Sequence, residues 1–172
     1  PLDYDIQELS GKTLGIIGTG RIGQNVASMV RGFGMRLLAF DAFPNPDKAR
    51  ELNFSYVPLS ELLSSSDVVT LHVPATPETH HLINTETIAQ MKRGAMLINT
   101  SRGDVVDSAA LSTALENGMI SAAGLDVLEG ENDIRSGKHS PATNLLHMHN
   151  ALVTPHIAFD TREARAEIVR VT

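Results

Sequence analysis

GIIGTGRIG, Gly15 to Gly23, sets Gly18, Gly20 and Gly23 in the spacing G-x-G-x-x-G. The apolar run TLGIIG, Thr13 to Gly18, leads into it, and a helical pattern from Ile22 to Phe33 begins inside it. The bare spacing is weak, but strand, glycine turn and helix in this order place a specific demand on the backbone. Gly18 permits a tight turn, Gly20 lets backbone N–H groups approach a pyrophosphate, and Gly23 lets the helix pack closely on the strand. The helix N-terminus adds partial positive charge at the phosphates. A merely tight strand-to-helix turn is the competing reading.

Outward from this stretch, apolar runs alternate with helical patterns. Thr13 to Gly18, Met35 to Asp41, Asp67 to Val73, Ala95 to Thr100, Ala122 to Val127 and Ala151 to Thr154 read as strands. They are near-continuous apolar runs, as expected of a parallel sheet covered on both faces. Helices are expected over Ile22 to Phe33, Asp47 to Leu52, Leu59 to Ser64, Thr85 to Met91, Ser108 to Asn117 and from Thr161 onward. Asp107 and Asp160 are candidate N-caps, and Gly118 a candidate stop. The alternation implies a doubly wound α/β domain with a parallel sheet. Glu129 to Asn150, polar and rich in Gly and His, is the least regular piece.

Composition narrows the function. A chain of 172 residues, 42% apolar, fits one globular domain with a sizeable core. A formal charge of -6 with scattered Lys and Arg argues against nucleic-acid or anionic-membrane partners. Without cysteine there is no disulfide, thiolate metal site or cysteine nucleophile. No apolar run approaches the ~20 residues that span a bilayer, and PLDYDIQEL lacks signal-peptide character, so a cytoplasmic chain is the simplest reading.

Six further positions carry chemistry. Asp41 ends the second strand, where a carboxylate can accept both ribose hydroxyls of an adenosine and repel a 2'-phosphate, favouring NAD over NADP. Arg36, Lys48 and Arg50 lie close in sequence and offer a phosphate an alternative. Arg102, in NTSRGDVVD, falls just past a strand end, where open α/β sheets bind ligands, and can grip a carboxylate with two parallel hydrogen bonds. It could equally cap a surface loop. Asp126, Glu129 and Glu131 follow the strand of GLDVLEGEN, and His156 follows the next strand in LVTPHIAFD. Taken alone the acids read as a solvated loop and the histidine as packing. Together, an acid beside an imidazole favours its protonated form, and a protonated histidine with an arginine is what carbonyl reduction by a nicotinamide requires.

The blocks GKTLGIIGTGRIGQ, LHVPATPETHHLIN, MKRGAMLINTSRGDVVD, GLDVLEGE and VTPHIAF resemble, in order, the NAD-binding domain of the D-isomer-specific 2-hydroxyacid dehydrogenases, and within them the D-lactate dehydrogenase branch. The resemblance runs from about Leu9 to the end. It implies a Rossmann domain of three α/β/α layers over residues 1–172, NAD as cofactor, and reversible hydride transfer between NADH and a 2-keto acid. It implies Arg102 as the substrate-binding catalytic arginine, Glu131, the second acid of E-x-E, as partner of the histidine, and His156 as general acid and base. Cofactor contacts carried over are Gly18, Gly20, Arg21, Ile22 and Gly23 at the phosphates, Asp41 at the ribose, and Val73 and Pro74 at the adenine. Thr79 is carried over in the following loop, Thr100, Ser101 and Arg102 beside the nicotinamide, and Asp126 at its carboxamide or ribose.

Family members are about twice this length, so a substrate-binding domain is expected to be absent from these residues, and the isolated chain is expected to bind NAD yet turn over little substrate. A homodimer is the expected assembly of the full-length protein. The same blocks serve glycerate, phosphoglycerate, formate and phosphite dehydrogenases, and some relatives act as NAD(H)-sensing co-regulators. His80-His81 and the HMH of His147 to His149 raise a metal, but their spacing, without thiolates or a helical HExxH, reads as surface histidines, and no metal is expected.

Overall fold

The computed structural model describes residues 7–138 and 140–171; the opening PLDYDI, His139 and Thr172, read above, lie outside them. Seven strands form one wholly parallel sheet: β1 (Thr13–Ile17), β2 (Arg36–Phe40), β3 (Ser55–Tyr56), β4 (Val68–Leu71), β5 (Ala95–Asn99), β6 (Ile120–Leu125) and β7 (Ala151–Val153). Their order is β3-β2-β1-β4-β5-β6-β7. The winding therefore reverses between β1 and β4, and such a switch opens a crevice at the carboxyl ends of the strands.

The helices are α1 (Arg21–Val30), α2 (Pro46–Leu52), α3 (Leu59–Ser65), α4 (Thr85–Ala89), α5 (Ser108–Glu116), α6 (Glu131–Arg135) and α7 (Arg162–Val171). The core has two parts. Leu62 and Leu63 of α3, Ile88 of α4 and Leu111 and Leu115 of α5 pack on Ile17, Val69, Leu71, Leu97 and Leu125 on one side of the sheet. Ala27 of α1 and Leu52 of α2 pack on Leu14, Ile16, Leu37 and Ala39 on the other.

The doubly wound parallel sheet matches the sequence expectation, but several details differ. The second layer stops short. Ile16, Thr70, Ile98, Gly124 and Leu152 stand in register across β1, β4, β5, β6 and β7 and so share the α1 face. Ile16 is fully buried there, whereas Ile98 is 37% and Leu152 71% exposed. β5 thus alternates between buried and exposed residues, although its sequence is apolar from Ala95 to Ile98. The short β3 has no pattern that periodicity could reveal. The strand expected from Ala122 begins at Ile120, directly after the turn at Gly118, whose φ is 69°. The stretch from Glu129 to Asn150, expected to be irregular, holds α6 and a 3-10 segment over Pro141–His147 whose start is capped by Ser140 and Thr143.

Asp107 caps α5, accepting the amides of Ala109 and Ala110. Asp160 does not cap α7: Thr161 Oγ1 accepts the Ala164 amide at 3.0 Å, while Asp160 pairs with the Arg165 guanidinium. The carboxylate goes to the nearest cation, and the hydroxyl one residue later satisfies the helix start.

Candidate active site

Every candidate residue lies in a connection leaving the carboxyl end of a strand or in the first turn of the helix that follows it. The turn after β1 comes first. Gly18 has φ 93°, and a Cβ there would lie 2.6 Å from the His72 carbonyl oxygen. At Gly23 a Cβ would lie 2.0 Å from the Gly18 carbonyl oxygen, so α1 rises directly off the turn. Gly20 faces open space, with no atom within 4 Å of its would-be Cβ, and no side chain caps α1. The first amides of α1, beginning at Arg21 and Ile22, therefore point their partial charge into an open cradle, which suits a diphosphate.

Asp41, directly after β2, is tied into this turn. Its Oδ2 accepts the Thr19 amide at 2.6 Å and the Thr19 hydroxyl at 2.9 Å, and Oδ1 accepts the Phe43 amide at 2.9 Å. Burial works to raise its pKa, but the hydrogen bonds from Phe43 and Thr19 outweigh it and hold the carboxyl below its ordinary value. Thr19 Oγ1 also lies 2.7 Å from Tyr56 Oη. The threonine hydroxyl can instead donate to the Tyr56 oxygen, which frees a position on the Asp41 carboxylate for a ribose hydroxyl. Val73 and Pro74 follow β4, across the switch point from Asp41. Thr79 closes the same loop, donating to the Pro74 carbonyl at 2.6 Å and accepting the Thr76 amide at 2.8 Å.

After β5, buried Asn99 builds the turn that presents Arg102. Its Oδ1 accepts the Ser101 amide and hydroxyl, and its Nδ2 donates to the Arg102 carbonyl at 2.8 Å. Thr100 is exposed, Ser101 half-buried, and Arg102 exposed with Nη1 on the Ser101 carbonyl at 2.7 Å.

The acids after β6 have three separate partners. Asp126, 5% exposed, accepts Thr154 Oγ1 at 2.5 Å and the Ile157 and Ala158 amides at 2.9 Å. Burial pushes its carboxyl up, but these bonds and the neighbouring His156 outweigh it, and the pKa is lowered. It thus shapes the turn carrying His156 and leaves one oxygen, Oδ2, with a single partner. Glu129 turns away to His81 Nε2 at 2.7 Å and the Ser108 amide at 3.2 Å. Glu131 Oε2 meets His156 Nδ1 at 3.0 Å, while its Oε1 accepts Arg135 Nη2 at 2.7 Å. Pairing through Nδ1 leaves Nε2 of His156 to exchange protons. The imidazole also stands edge-on to Phe159, with centroids 5.7 Å apart.

Arg102, Glu131 and His156 line one cavity of about 370 Å³, together with Gly103, Asp104 and Asp133. The structure thus gathers an exposed guanidinium, an imidazole and the carboxylate that orients it, from the connections after three different strands. Sequence reasoning missed Asn99, Gly103 and Arg135. Asn99 was legible, since Asn-Thr-Ser after a strand suits a side-chain-closed turn; so was Arg135, four residues beyond Glu131.

The sequence model described as D-isomer specific 2-hydroxyacid dehydrogenase, NAD binding domain, matches residues 1–158. A glyoxylate reductase of Korarchaeum cryptofilum is 46% identical over 170 residues, covering 99% of this chain and 48% of that protein. A D-lactate dehydrogenase of Escherichia coli is 46% identical over 169 residues, covering 94% of this chain and 51% of that protein. Among solved structures, D-lactate dehydrogenase from Aquifex aeolicus, complexed with NAD and lactic acid, superposes with a TM-score of 0.86 at 44% identity, over 96% of this chain and 52% of that one. The chain spans about half the length of the curated relatives it matches.

Proposed function

Since this chain belongs to the D-isomer-specific 2-hydroxyacid dehydrogenase family, through its NAD-binding domain, we propose that it forms the cofactor half of an NAD-dependent enzyme that interconverts a 2-keto acid of the pyruvate class and its D-2-hydroxy acid. The observation that carries this reading is the cavity shared by Arg102, Glu131 and His156.

Bound NADH would supply the hydride. The open cradle at Gly20 and the uncapped start of α1 hold the diphosphate. Asp41 holds the adenosine ribose, and Val73 and Pro74 border the adenine. Thr100 and Ser101 flank the nicotinamide, and the remaining acceptor position of Asp126 meets its carboxamide. Arg102 anchors the substrate carboxylate through paired N–H groups. His156 gives its Nε2 proton to the forming alkoxide and takes one back in the reverse direction. Glu131 orients the ring through Nδ1, and Arg135 fixes which carboxylate oxygen faces the histidine. The opposite wall of the cleft comes from a substrate-binding half outside these residues, which also selects the substrate side chain. We place the enzyme in the cytoplasm and assign it a homodimeric state. No helix among the described residues is long and apolar enough to cross a membrane.

Titrating the chain with NADH while following nicotinamide fluorescence, then adding pyruvate, tests the reading. Saturable binding with slow or no oxidation is expected of the chain by itself, and turnover once the other half is present. Absence of NADH binding in both forms would overturn it.

Two variants examine single roles. Asp41→Ala loosens Thr19, which weakens either cofactor, but it also removes the ribose acceptor and the repulsion of a 2'-phosphate. Affinity for NADH should therefore fall more than affinity for NADPH; equal losses would leave Asp41 as a loop tether only. Glu131→Gln removes the carboxylate that receives the His156 ring at Nδ1, so the imidazole loses the partner that orients it. The rate of keto-acid reduction should fall roughly tenfold or more with NADH affinity unchanged, and an unchanged rate would remove Glu131 from this role.

A further inference from the structure

We propose that His80, His81 and Glu129 form a binding site for a borderline divalent cation of the zinc class, separate from the hydride-transfer site. The three residues offer two imidazole nitrogens and one carboxylate oxygen, all within 4.8 Å of one another. They come from two loops 48 residues apart, the one after β4 and the one after β6.

The backbone is bent to make this juxtaposition. Neighbouring residues in extended chain point to opposite sides, but His81 has φ 48°. That left-handed conformation is uncommon for any residue with a Cβ. Its result is that the two rings lie stacked, with centroids 4.0 Å apart and planes 24° from parallel. Glu129 faces His81 from the other loop, with Oε1 2.7 Å from Nε2, while its Oε2 is steadied by the Ser108 amide at the start of α5. His80 has no such employment. Among the described residues its ring makes no hydrogen bond, and with Asp104 it borders an open cavity of about 390 Å³.

Donor type selects the ion. Two imidazoles and one carboxylate suit zinc, nickel or copper, whereas calcium and magnesium take oxygen ligands almost exclusively. Tetrahedral zinc, with bonds of about 2.0–2.1 Å, brings its ligand atoms roughly 3.3 Å apart. The present spread closes to that by rotation of His80 and a small shift of Glu129. The cavity beside His80 leaves room for water as a fourth ligand. Binding would fasten the loop after β4 to the loop after β6, whose Glu131 stands two residues beyond Glu129.

The test is isothermal titration of the intact, tag-free, chelator-stripped protein with zinc chloride at pH 7.5, with cobalt(II) absorption as a second readout. One saturable site is expected, with a tetrahedral cobalt band. His80→Ala should weaken zinc binding about tenfold or more and abolish the band, with little change in the melting curve of the metal-free protein, because among the described residues the exposed His80 ring makes no hydrogen bond and its ring contact is the stack on His81. His147→Ala and His149→Ala should change neither. The proposal is overturned if no saturable binding occurs, if His80→Ala binds zinc as tightly as the parent, or if binding disappears instead with His147 or His149.

Discussion

His156→Asn should lower the rate of 2-keto acid reduction by roughly 100- to 10,000-fold, the usual worth of a positioned proton donor, and leave NADH affinity unchanged. Asparagine is the informative replacement because His156 sits at φ 58°, a conformation that Asn accepts more readily than other residues with a Cβ. Asp126 can then still hold the turn through the Ile157 and Ala158 amides, so the fold survives while the proton is lost. Initial rates from NADH absorbance, in a protein carrying both halves of the cleft, give the first quantity, and fluorescence titration gives the second. A rate within about threefold of the parent would place the proton elsewhere, since each tenfold corresponds to about 1.4 kcal/mol in the barrier. Loss of NADH binding would make His156 a structural element of the cofactor cleft.

Much of this architecture was legible because its determinants are local. A glycine spacing between a strand and a helix fixes the turn at Gly18 whatever the rest of the chain does, and Asp107 before an apolar helix is a cap on the strength of its own neighbours. Placing Arg102, Glu131 and His156 near one another needed the family's blocks, since their proximity depends on strands β5, β6 and β7 lying side by side.

What escaped the sequence was set by distant partners. Glu129 and Glu131 are chemically alike and two residues apart, and what separates their roles is that His81 stands beside one and His156 beside the other. His81 pairs with Glu129 from 48 positions away, a contact that no local spacing shows. Asp126 also accepts three hydrogen bonds from the β7 loop, from Thr154, Ile157 and Ala158, which lie about 30 positions away and give no local signal. The bare face at Ile98 and Leu152 was hidden for a related reason: an apolar residue reads the same whether or not a helix lies over it.

Gly103→Ala should cut kcat/KM for keto-acid reduction by about 100-fold with a much smaller loss of NADH affinity, because the glycine sets the distance between Arg102 and the Glu131–His156 pair. A Cβ at Gly103 would lie 2.2 Å from both the carbonyl carbon and oxygen of Leu128 and 2.6 Å from the Glu129 nitrogen. None of these atoms belongs to a flexible side chain, so one loop must retreat from the other by about an ångström. Arg102 rides on the first loop and Glu131 on the second, and a displacement of that size costs on the order of 100-fold where reacting groups must be aligned. The diphosphate and ribose contacts lie across the sheet, after β1 and β2, and Thr100 and Ser101 precede Gly103 on a turn that Asn99 ties down, so NADH affinity should fall far less than turnover. Gly20→Ala gives the opposite pattern: its methyl meets no protein atom within 4 Å, so the fold tolerates it, but it enters the space assigned to the diphosphate. The two methyl groups together separate positioning of the substrate groups from binding of the cofactor. If Gly103→Ala reduced NADH affinity and turnover alike, or neither, the contact between the two loops would not be what aligns Arg102 with His156.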